Sequence, residues 1–170
     1  MQPQAKNSGR SSETLDPLRI VGHARPSPSR GVIVSTNYER SADLGLAALT
    51  PSPIWATLGM KLIALDPGRA TMALEATSRV SNIQGAVHGG AIATLADTAM
   101  GAACWTLVEE GVPFATLDLN ISFLKSVREG QLIATGSIIR PGRSVHFAEC
   151  GVTDGTGALI ARASCTFHVR

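Results

Sequence analysis

The segment that most restricts what this 170-residue chain can fold into runs from Gly89 to about Leu107. It is built almost entirely of Ala, Leu, Ile, Met and Trp, and its composition and length predict one long helix. A helix that is apolar all round must be covered by other elements on most of its sides. The stretches Val80–Val87 and Gly89–Ala96 lack Asp, Glu, Lys, Arg and His but are interrupted by Gly, Gln, Asn and Ser, and no run approaches the roughly 20 apolar residues of a membrane span. The cover has to come from the rest of the chain, and most of that reads as strand. GMKLIAL and ATMALEAT flank Asp66-Pro67-Gly68-Arg69, a hairpin about a Pro-Gly turn. Four further runs, Phe114–Leu124, Gln131–Ile139, Arg143–Thr153 and Leu159–Val169, are separated by KSVREG, RPGR and DGTG, each a turn signal with Gly. In the first of these four, alternation puts Thr116, Asp118, Asn120 and Ser122 on one face and Leu117, Leu119, Ile121 and Phe123 on the other. The order β-β-α-β-β-β-β predicts an α+β domain, one long buried helix wrapped by a curved antiparallel sheet of about six strands.

The domain is expected over residues 41–170. Ser/Asp cap signals near Ser41 precede LGLAAL, and a Pro-bounded segment covers Ile54–Leu58; both read as short helices. Residues 1–40 read as a polar, flexible extension rich in Ser, Pro and Arg. They carry six basic against three acidic side chains, and the remainder carries nine against ten. A near-neutral domain presents no basic face to a nucleic acid, so no nucleic-acid partner and no membrane association are expected. The N-terminal stretch has no apolar core, which argues against a cleaved secretory signal. Cys104, Cys150 and Cys165 are odd in number and widely spaced, with no CxxC pair. This points to reduced thiols in a cytoplasm rather than to a zinc site or a disulfide framework.

Chemistry concentrates in NIQGAVHGGAIATLADTAMG, residues 82–101. Between Arg79 and Glu109, Asp97 is the only formally charged side chain, and His88 and Cys104 are the only other titratable ones. A lone carboxylate on an apolar helix costs several kcal/mol unless it is paired or near water. Asp97 therefore opens onto a cleft or interface, carries a raised pKa, or is a structural Asp bonded to a strand. His88-Gly89-Gly90 precedes the helix, where the first N–H groups lack internal partners and the dipole favours negative charge. That is an oxyanion site or, equally, a Gly-rich entry to a tightly packed helix. Gly89 and Asp97 lie eight residues apart, about 12 Å along a helix. One carbonyl cannot touch both within one chain, so joint action requires a second subunit and predicts two composite sites.

This segment resembles the hotdog-fold thioesterases of the phenylacetate-pathway (PaaI-like) type, within the 4-hydroxybenzoyl-CoA thioesterase superfamily. The family pattern of Asn, Gly-x-x-His-Gly-Gly and Leu-Ala-Asp nine residues after the His is met by Asn82, Gly85, His88, Gly89, Gly90, Leu95, Ala96 and Asp97. The similarity runs from about Pro53 to Val169 and includes GMKL, TLDLNISFLK, GRSVHFAE and DGTGALIARA. Some relatives carry Glu at the helix position, so Asp97 leans to the PaaI-like branch. The resemblance implies the hotdog fold, a homodimer or homotetramer with sites between subunits, and hydrolysis of an aryl- or acyl-CoA thioester without metal or redox cofactor. It implies that Asp97 is general base or nucleophile and that the Gly89 N–H holds the oxyanion. Asn82 and His88 would orient substrate and water, and Thr116 would steady the water or the carboxylate. His88 as a helix cap and Thr116 as a solvent-facing strand residue are the plainer alternatives. Gly90 and Gln84 would line the substrate path. Lys125, Arg140 and Arg143 would meet coenzyme A phosphates, or be ordinary turn charges.

Among aromatic and sulfur residues, Trp105 reads as core, Trp55 and Met60 as core or acyl channel, and Cys104 as a small buried apolar group. Two other functions fit a hotdog domain. One is an acyl-CoA sensor that binds without hydrolysis; such proteins usually carry a DNA-binding domain, and the extension reads as too polar and Pro-rich for a helix-turn-helix. The other is a hydratase or dehydratase, whose motif differs from this one.

Overall fold

The computed structural model describes residues 36–38 and 52–170. The extension over 1–40, apart from residues 36–38, and the helix expected at LGLAAL lie outside the described residues. The first helix, α1 (Pro53–Leu58), has Pro in its opening turn, where a missing N–H costs nothing. Gly59 ends it in the left-handed region (φ 74°), and the Met60 N–H returns to the Trp55 carbonyl at 2.8 Å. Strands β1 (Lys61–Asp66) and β2 (Arg69–Glu75) form the expected hairpin. A 3-10 turn at Ser78–Val80 and an irregular loop lead to the long helix, α2 (Gly89–Trp105). Strands β3 (Phe114–Phe123), β4 (Gln131–Pro141), β5 (Val145–Asp154) and β6 (Leu159–Val169) follow.

The six strands make one antiparallel sheet in the order β1-β2-β4-β5-β6-β3, open at both edges. Helix α2 lies across one face of it, as the hydrophobicity of its sequence requires. Alternation along the central strands builds that face: Leu132, Ala134 and Gly136 of β4, and His146, Ala148, Cys150 and Val152 of β5, point to the helix and are buried. From α2, Leu95, Ala96, Ala99, Met100, Ala103 and Cys104 complete the core with no measurable exposure. The helix packs most extensively on β4 and β2 and least on β3 and β1. At Gly136 a Cβ would stand 2.5 Å from the backbone of Ala99 and Met100, so the strand touches the helix only because it carries no side chain there.

Two details differ from the sequence reading. The helix stops at Trp105 instead of Leu107, because the Leu107 N–H bonds the Cys104 carbonyl three residues back. The Thr106 hydroxyl also donates to the Ala103 carbonyl and accepts the Gly68 N–H, turning the chain out of the helix. The second concerns β3. Between Thr116 and Asp118 it advances two residues while β6 advances one, from Phe167 to Thr166. This bulge at Leu117 reverses the alternation, so Thr116 faces the helix with Leu119, Ile121 and Phe123, not outward with Asp118, Asn120 and Ser122.

Candidate active site

Asp97 sits half-buried on the flank of α2 that turns towards β3. The Thr116 hydroxyl donates to its Oδ1 at 3.0 Å, a bond that exists because the bulge turned Thr116 inward. The other carboxylate oxygen, Oδ2, has no protein donor among the described residues. Both residues line a cavity of about 360 Å³ between α2, the start of β3 and α1. The lone carboxylate is thus reconciled with its apolar helix by one hydroxyl and an open cleft. Trp105, expected in the core, is only half-buried and forms part of this cavity with Trp55, whereas Met60 is buried away from it. A larger hollow of about 600 Å³ lies on the outer face of the sheet among Arg69, Arg162, Glu149 and small hydroxyl residues. It has neither the helix carboxylate nor a helix N-terminus.

The N-terminal end of α2 is built separately. The chain leaves β2, pairs Ser81 with Val87 and closes a small loop around Asn82. The Asn82 side-chain oxygen accepts the N–H groups of Gln84 (2.9 Å) and Ala86 (3.2 Å), so its amide fixes the loop shape. His88 caps the helix: its Nδ1 accepts the Gly90 N–H at 2.9 Å, which puts the ring proton on Nε2. The Gly90 N–H is thereby used. The Gly89 N–H has no acceptor among the described residues and remains available at the positive end of the helix. A Cβ on Gly89 would press on the Phe123 ring at 3.3 Å, and one on Gly90 would reach His88 Nδ1 at 3.0 Å, so both glycines also serve packing.

Residues 84–161 match the family model described as the thioesterase superfamily. A 1,4-dihydroxy-2-naphthoyl-CoA hydrolase of Listeria monocytogenes is 30% identical over 114 residues, 67% of this chain and 93% of that protein. The chain belongs to the thioesterase superfamily. Human acyl-coenzyme A thioesterase 13 is 29% identical over 112 residues, 64% of this chain and 78% of the relative. Among solved structures, a mutant form of the phenylacetic acid degradation protein PaaI from Thermus thermophilus superposes with a TM-score of 0.64 at 25% identity, covering 69% of this chain and 98% of that one. The hotdog architecture and the PaaI-like resemblance therefore stand, and the chemistry of this thioesterase is hydrolysis of a thioester. No helix among the described residues is long and apolar enough to cross a membrane.

The remaining predicted site residues of the thioesterase divide between the two ends of α2. At the N-terminal end, Gln84 is exposed, and its backbone carbonyl receives the Arg128 guanidinium. Lys125 lies at that end too, paired with Asp154 at 3.2 Å. The Asp154 carboxyl is held well below the ordinary range by the Thr156 hydroxyl, with Lys125 and backbone N–H groups adding to the effect. Arg140 and Arg143 lie at the other end, on the last residues of β4 and the turn into β5. That turn adjoins His146, whose Nδ1 meets the Cys104 sulfur at 3.6 Å under the last turn of α2. Lys125 and the two arginines thus do not gather at one rim of a single chain. Burial pushes the Cys104 thiol up to about 12, so it stays protonated beside His146 and is no nucleophile. In the sequence Arg128 stands among turn residues and gives no signal; the Val87 N–H to Val127 carbonyl bond, 2.8 Å, and its own bond to the Gln84 carbonyl bring its loop to the helix entrance.

Proposed function

We propose that this thioesterase hydrolyses an acyl-CoA to a carboxylic acid and free coenzyme A at sites shared between two copies of the chain. One observation carries this reading: a carboxylate held by a single hydroxyl at the mouth of a cavity, on the same helix as a free N-terminal amide about 12 Å away. Asp97, steadied through Oδ1 by Thr116, offers Oδ2 either to a water, as general base, or to the thioester carbonyl, as nucleophile. The Gly89 N–H of the other copy polarises the carbonyl oxygen and takes the charge that develops on it. On the first route Asp97 takes a proton from the attacking water and returns it to the thiolate as the C–S bond breaks. On the second, C–S cleavage leaves a mixed anhydride on Asp97, and the water that hydrolyses it supplies the thiolate's proton and frees the carboxylate. His88 and Asn82 act as positioning residues, through the cap and the loop that present Gly89. Lys125 and Arg128, beside that entrance, suit the phosphates of coenzyme A.

Strand β3 supports the pairing of copies. It is a sheet edge, and exposed Ile83, Leu117, Phe123 and Leu124 lie along it or at the helix entrance. Antiparallel joining of two β3 strands about a two-fold axis sets the Thr116 end of one against the Phe123 end of the other, and so brings Asp97 towards Gly89 of the second copy. Three buried free thiols suit a cytoplasmic setting.

Thiol release from phenylacetyl-, hydroxybenzoyl-, short- and medium-chain acyl-CoAs, with Asp97→Asn alongside, tests the function. Release by the wild type and not by the variant is expected. Binding of acyl-CoA with no release would replace hydrolysis by a sensor role, and an active monomer would overturn the composite site.

A further inference from the structure

Three residues of α2 at one-turn intervals, Asp97, Gly101 and Trp105, line the same cavity. Asp97 and Trp105 stand about 12 Å apart along the helix axis. The chain is poor in aromatics, with two Trp, one Tyr and four Phe, yet four of the seven (Trp55, Trp105, Phe114 and Phe167) line this one space. Phe114 and Phe167 meet edge to face, with centroids 5.8 Å apart at 76°. Gly101 forms the wall one turn beyond Asp97. Among the described residues a Cβ there would meet nothing nearer than the Phe167 ring at 4.0 Å, so their packing does not require glycine at this position. A glycine in a helix interior, without a packing reason, leaves room for something else. The cavity volume, about 360 Å³, is at the small end for ligand sites, and its aromatic walls favour a flat group over an extended chain.

Resting on the thioesterase reading of Asp97, we propose that this cavity receives the acyl group, that Gly101 is its specificity-determining residue, and that Trp105 closes it to anything much longer than a ring-bearing acyl. The names of the relatives do not decide this, since one specifies a naphthoyl group and another only an acyl group.

The test compares kcat/KM for phenylacetyl-CoA, acetyl-CoA and octanoyl-CoA in the wild type, Gly101→Ala, Gly101→Leu and Trp105→Ala. The wild type is expected to favour phenylacetyl-CoA over both others. Gly101→Leu should move the phenylacetyl-to-acetyl ratio towards acetyl by ten-fold or more, the scale on which single methylenes are discriminated, with Gly101→Ala between. Trp105→Ala should move the octanoyl-to-phenylacetyl ratio towards octanoyl. Ratios that stay constant in variants that still release thiol, or a wild type preferring octanoyl-CoA, overturn the proposal. Trp fluorescence titrated with phenylacetamide, an uncharged stand-in for the acyl half, reads the cavity without turnover. A saturable change in the wild type, lost in Gly101→Leu, upholds the cavity even if no thioester is hydrolysed, in which case only the hydrolytic reading falls. No change in the wild type counts against the cavity whatever the turnover.

Discussion

The two flanks of α2 use glycine for opposite reasons. On the flank against β2 and β4, Gly136 removes a side chain so that strand and helix backbones touch; a Cβ would lie 2.5 Å from Ala99 and Met100. On the flank towards β3 and α1, Gly101 removes a side chain and no described residue uses the room, since a Cβ there would come no nearer than 4.0 Å to the Phe167 ring. Close packing is the rule in protein interiors, so the first glycine is explained by the fold alone. The second lies one turn from the only charged residue of the helix, in a cavity. One flank is built for stability and the other gives up contacts for access, which is how a single helix can be both core and catalytic element.

Several substitutions would break this contrast. The largest effect belongs to Asp97→Asn, which should lower kcat by about 10²- to 10⁴-fold, the range for a general base, while the melting temperature stays close to that of the wild type. A fall in stability with near-normal turnover would make Asp97 a packing residue and erase the difference between the flanks. Next is Gly136→Ala, where overpacking should cost about 1–3 kcal/mol, read from denaturant midpoints. A neutral result would mean that the helix can rise off β4. Gly101→Ala should do the reverse and stabilise the protein by about 0.4–1 kcal/mol, since it relieves a glycine in a helix interior without a clash. A loss would show that the open flank is closer packed than its geometry indicates.

A last prediction concerns pH on the packed flank. Burial lowers the His146 pKa below its ordinary value of 6.5, against a smaller opposing effect from the Gly142 backbone. As pH falls below 6.5 the unfolded chain takes up a proton that the folded chain refuses, so stability should decline from there down to the folded pKa. Melting curves between pH 8 and pH 5 should show this decline, and His146→Gln should reduce it.

Much of the architecture was legible in the residues. The all-apolar helix demanded cover, the Pro-Gly and Gly-bearing turns divided the strands, and all six strands and the helix appear within a few residues of their expected places. Features that depend on register were not legible. Strict alternation along β3 groups Thr116 with Asp118, Asn120 and Ser122 and leaves its role open, and a bulge at Leu117 is invisible without the partner strand. Trp105 read as core because an apolar helix offers no sign of which flank is left uncovered. Arg128 and His146 act through residues more than 40 positions away, Gln84 and Cys104.

The local requirements of the chain, namely which residues are helical, where turns break the strands and which carboxylate stands alone, follow from side-chain chemistry and short-range sterics and were present in the sequence. Which glycine meets backbone and which meets empty space was decided only in the tertiary structure. So was the inward turn of Thr116 to Asp97. Both depend on the distance between elements far apart along the chain, a distance set by packing the whole sheet around one helix.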